Sequence, residues 1–73
     1  MQKLTIADVK KACGTRTPVL NVKVNAEYET THFDTVDEMI DAINKYLPTH
    51  TIAAITPYDS GNEHLLDVFM ELQ

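Results

Sequence analysis

The stretch that decides the fold is Asp34-Thr-Val-Asp-Glu-Met-Ile-Asp-Ala-Ile-Asn-Lys-Tyr-Leu-Pro48. Val36, Met39, Ile40, Ile43 and Leu47 recur at three- and four-residue steps, the spacing of one buried helical stripe. Thr35 stands where an N-cap belongs, and Glu38 completes a capping-box pattern, so two orphan amides are expected to find local acceptors. Pro48 ends the helix, because the residue before a proline is pushed out of helical geometry. A stripe of this kind must be covered by another layer, and the flanking segments read as the strands of that layer.

Upstream, from Val19, the period changes to two. Leu20, Val22, Val24, Ala26, Tyr28, Thr30 and His32 share one parity; Asn21, Lys23, Asn25, Glu27, Glu29 and Thr31 share the other. A single strand of that length is unusual against a typical ~5–6 residues, so the segment is expected to fold into a hairpin. A three-residue loop, Asn25-Ala26-Glu27, pairs Val24 with Tyr28, Val22 with Thr30 and Leu20 with His32. A two-residue loop would set Val24 opposite Glu27 and mix the faces, so parity predicts the longer loop. Before the hairpin, Thr5 caps a short helix over Ile6–Cys13, with Asp8 three residues on and Leu4 placed to staple against Val9. Gly14 is expected to end that helix in a left-handed conformation.

Downstream, Thr51–Tyr58 and Glu63–Leu72 read as two strands around the turn Asp59-Ser60-Gly61-Asn62. Pro57 cannot donate to a ladder, so it belongs at a strand end or on an edge. Leu66, Val68, Met70 and Leu72 point one way; Leu65, Asp67, Phe69 and Glu71 point the other. The order is α-β-β-α-β-β. This predicts a single small α+β domain over residues 1–73: a two-layer sandwich whose four-stranded, mainly antiparallel sheet carries the central helix on one face.

At 73 residues the chain has a thin margin of stability. Cys13 is the only cysteine, which excludes an internal disulfide and a multi-cysteine zinc site and fits a reducing compartment. The N-terminus lacks a charged-then-apolar signal layout, and no apolar run reaches the length of a membrane span. The expectation is a soluble, cytoplasmic protein with no membrane contact. The net charge of −5 is split: residues 1–26 carry +4 and residues 27–73 carry −9.

The acids form the first candidate site. Asp37 and Asp41 lie four apart on the outer face of the central helix, beside Asp34 and Glu38. Like charges at that spacing cost a helix roughly 0.2–0.5 kcal/mol. Asp34, Asp37 and Glu38 suit a helix N-terminus, but Asp41 lies beyond the first turn. With Glu27 and Glu29 they compose an acidic face suited to docking a basic protein, including one associated with nucleic acid. The second candidate is apolar. Ile52, Leu65 and Phe69 are expected on the back of the sheet, covered either by the first helix or by another copy of the chain, which would make a homodimer. These features point to a non-enzymatic interaction module, a small regulator or inhibitor. Its size and charge are those of accessory proteins of phage and mobile elements, an analogy of size and charge only.

Two other function classes remain on the residues. His32, His64, Tyr28 and Tyr58 could serve a small ligand-binding or enzymatic domain, which needs a concave pocket. None of His32, His50 and His64 has metal-ligand spacing, and Thr49-His50-Thr51 reads as a polar loop. The basic N-terminal part lacks interleaved aromatics, so direct nucleic-acid binding is disfavoured. Neither glycine-containing loop has the density of a phosphate cradle, and no cofactor is expected. Cys13, on the apolar stripe of the first helix, reads as a small buried hydrophobe.

Overall fold

The computed structural model describes residues 3–73. The elements follow the order α1 (Ile6–Cys13), β1 (Thr17–Val24), β2 (Glu27–His32), α2 (Val36–Tyr46), β3 (His50–Ser60) and β4 (Glu63–Leu72). The strands form one sheet in the order β2-β1-β4-β3. Each hairpin is antiparallel, and the two meet along a parallel pairing of β1 with β4. The sheet is therefore mixed. The parallel seam follows from the path of the chain, since α2 carries it from one sheet edge to the other and sets the inner strands of both hairpins running the same way.

Both helices begin at the threonines their sequences nominate. At α1 the box is complete: Thr5 N–H donates to Asp8 Oδ2 at 2.8 Å, and Asp8 N–H donates to Thr5 Oγ1 at 3.4 Å. At α2 only half of it forms. Glu38 N–H donates to Thr35 Oγ1 at 3.2 Å, but the Glu38 carboxylate accepts from the Thr35 hydroxyl rather than from its amide. Gly14 has φ 54° and ψ −120°, so φ is positive as expected while ψ lies outside the left-handed helical well.

The core lies between the helices and one sheet face. Val9 and Cys13 of α1 meet Met39 and Ile43 of α2 over Leu20, Val22, Leu66, Val68, Met70 and Ile52. α2 lies over β1, and α1 lies over β3 and β4. The first helix thus shares the covered face with the second, and no described element packs on the other face. Ile52 pairs with Met70 and is buried in the core, so it does not join Leu65 and Phe69 on the open side. The alternative in which the first helix covers that side is removed by the same geometry.

The first hairpin departs from the expected register. Val24 pairs with Glu27, Val22 with Glu29 and Leu20 with Thr31, around a two-residue loop of Asn25 and Ala26. Asn25 takes φ 59°, the positive value that a tight hairpin turn requires and that asparagine tolerates. The parity rule fails here because every residue of β2 is exposed. A strand that buries nothing pays nothing for mixing its faces, so the turn sets the register. The second hairpin turns at the expected place but more tightly: β3 runs from His50 through Asp59 and Ser60, and a two-residue loop of Gly61 and Asn62, with Gly61 at φ 57°, pairs Ser60 with Glu63. Pro57 falls on β3, an edge strand, and Ala53 makes a bulge between Ile52 and Ala54.

Candidate functional site

Glu27, Glu29, Asp34, Asp37, Glu38 and Asp41 are all exposed. The revised register moves Glu27 and Glu29 to the helix side of the sheet, opposite Val24 and Val22. α2 lies over β1, the strand next to β2, so helical and strand acids occupy the same half of the molecule. Among the described residues none of the six forms a salt bridge. Lys10 and Lys11 of the neighbouring helix make none with them either. The cations that are engaged turn to the other hairpin: Arg16 pairs with Asp59, and Lys23 Nζ lies 3.7 Å from Glu71 Oε1.

The open face is not uniformly apolar. Leu65 and Phe69 are half-buried there, flanking Asp67 on β4. Phe69 meets Tyr28 edge-to-face with centroids 5.6 Å apart, and Lys23 Nζ sits 5.9 Å above the Tyr28 ring. Between them runs a polar chain: Thr30 Oγ1 donates to Asn21 Oδ1 at 2.7 Å, and Asn21 Nδ2 donates to Asp67 Oδ1 at 3.4 Å.

The histidine and tyrosine constellation is not assembled. His32 pairs with Val19 and faces the open side, whereas His64 pairs with Asp59 on the helix side. Tyr28 and Tyr58 stand on opposite sheet edges. The described residues form no pocket and hold no group of three or more His, Cys, Asp or Glu placed for a metal.

Arg16, Asp59 and His64 form a cluster at the turn end of the β3–β4 hairpin that no local sequence pattern signals. The Arg16 guanidinium grips Asp59 with two bonds, Nε to Oδ1 at 3.2 Å and Nη2 to Oδ2 at 2.9 Å, and donates from Nη1 to Ala12 O at 3.0 Å. His64 Nδ1–H donates to the same Asp59 Oδ1 at 2.9 Å. These two donors, Arg16 foremost, bring the Asp59 carboxyl down to about 2, and the bond to Asp59 raises Arg16 in turn. The arrangement ties the loop after α1 to the hairpin tip. Asp59 was legible only as a turn residue, and its partner lies 43 positions away, beyond any local pattern.

His50 is not the loop residue that Thr49-His50-Thr51 suggests. It is 7% exposed, and its Nε2 lies 3.2 Å from Lys23 O and its Nδ1 2.8 Å from Thr49 Oγ1. Tyr46 meets its ring edge-to-face at 5.4 Å. The residue is a satisfied core histidine joining the end of α2 to β1. Cys13 is buried as expected: burial pushes its thiol up, against a smaller opposing pull from Arg16. No described helix is long and apolar enough to cross a membrane. The chain matches no protein-family model, and comparison with curated proteins and with solved structures finds no relative.

Proposed function

We propose that this chain is a non-enzymatic protein-interaction module, a small regulator or inhibitor that docks a basic protein on its acidic half. One observation carries the reading. Glu27, Glu29, Asp34, Asp37, Glu38 and Asp41 gather on one half of the molecule, and none has a cationic partner among the described residues. Asp41 stands beyond the first turn of α2, four residues before Lys45, with which it forms no salt bridge. Uncompensated carboxylates on a rigid helix and strand produce a field that speeds encounter with a cationic surface. A cytoplasmic setting belongs to the same reading, supported by the single, buried thiol.

The test is affinity capture compared between the wild type and Asp37→Lys/Asp41→Lys. The expected result is basic proteins retained by the wild type at low salt, released when the Debye length is cut to ~3 Å, and not retained by the variant. Circular dichroism should report the same fold for both. Undiminished capture by the variant sinks the reading. A second component, self-association through Leu65 and Phe69, is supported by the absence of any described element over that face. Light scattering that reports a monomer at the highest attainable concentration removes it.

A further inference from the structure

We propose that the outer edge of β2 takes up an extended, lysine- or arginine-rich segment of a partner protein as a fifth strand. This rests on the acidic-docking reading and adds the backbone that does the holding. Phe33 N–H donates to Pro18 O at 2.9 Å. Bonded and non-bonded positions alternate along an antiparallel pair. Glu27, Glu29 and Thr31 therefore turn their amides and carbonyls toward β1, while Tyr28, Thr30 and His32 turn theirs outward. All six residues are exposed, and those outward groups have no backbone partner among the described residues. Main-chain groups in this state are a template for strand addition.

The opposite edge is closed to the same use. Counting the alternation from the closing pair Ser60–Glu63 places Pro57 at an outward position, where it offers no N–H. The bulge at Ala53 then breaks the line of β3 nearer its start. β2 carries no proline, lysine or bulge.

Charge selects the occupant. Glu27 and Glu29 stand on the helix side of the sheet, on the strand next to the one that α2 covers. An incoming strand presents every second side chain to that side, so Lys or Arg at alternate positions meets the glutamates across the new pairing. A second copy of β2 would bring its own Glu27 and Glu29 to the same side, where like charges oppose. On the open side Tyr28, Thr30 and His32 accept uncharged side chains at the intervening positions.

The experiment titrates the isotope-labelled full chain with a short peptide alternating lysine and threonine, read by amide exchange and chemical shift. The expected result is protection of the Tyr28, Thr30 and His32 amides by about tenfold at saturation. Glu27→Gln/Glu29→Gln should weaken binding roughly three- to tenfold. A peptide N-methylated at alternate amides should fail to protect β2. If the methylated peptide binds as well and shifts only α2, strand addition is overturned while acidic docking stands. If a glutamate–threonine peptide protects β2 equally, the charged occupant and the docking reading are both overturned. Protection that rises with protein concentration alone assigns the edge to a second copy and overturns the proposal, as does the absence of any shift.

Discussion

The two edges of the sheet are built by different means. β3 runs for 11 residues, buries His50 and Ile52, and carries a bulge and a proline; β2 runs for six and buries nothing. The first edge is held by what lies beneath it. The second is held by its ladder to β1, by the Asn25 turn and by the contacts of Tyr28 with Phe69 and Thr30 with Asn21 on the open face. Burial and turn chemistry can each set a register, and this molecule uses one on each side.

The contrast is broken most directly by truncation. Ile52→Ala on β3 should cost about 2–5 kcal/mol, since it leaves a void against Met70, whereas Thr31→Ala on β2 should stay within ~0.5 kcal/mol. Urea unfolding of both variants checks this, and equal losses would mean that β2 shares in the core. The turns come next. Gly61→Ala should cost roughly 1–2 kcal/mol because φ is 57° there and nothing else crowds the position. Asn25→Gly should gain a few tenths of a kcal/mol, about 0.3, at the matching site of the other hairpin. Thermal melts order the two, and a loss at Asn25→Gly would point to an asparagine side-chain contact that the register does not require.

The smallest effect is at the Arg16–Asp59–His64 tie, which is largely solvated. Asp59 is lowered from 3.8 to about 2 on folding, so the unfolded chain binds more protons between those values. Its contribution is complete above about pH 4 and is lost as pH falls through about 2. Asp59→Asn should remove that part of the acid limb and leave stability near neutral pH only slightly reduced. An unchanged acid limb would show that the tie is not maintained in solution.

Helix positions, their threonine caps and the second hairpin were legible because each is encoded within a few residues: a stripe, a cap, a glycine turn. The acids of α2 were legible for the same reason. The register of the first hairpin is not legible because alternation signals burial only where a face is covered, and Tyr28, Thr30 and His32 alternate without being covered. The parallel seam, the placement of α1 beside α2 and the pairing of Arg16 with Asp59 all join segments distant in the chain. No local pattern carries that information. His50 hides in a loop-like tripeptide because its ring partner, the Lys23 carbonyl, belongs to another strand.

The meeting of β1 with β4 has a kinetic corollary. Either hairpin can zip locally, on a scale of ~1–10 μs, but neither alone encloses the apolar stripes of the helices. Joining them brings Leu20 beside Val68, and the intervening chain must be looped before any of that contact is won. The slow event in assembly is then the docking of two preformed halves, with α2 as the tether that determines how often they collide.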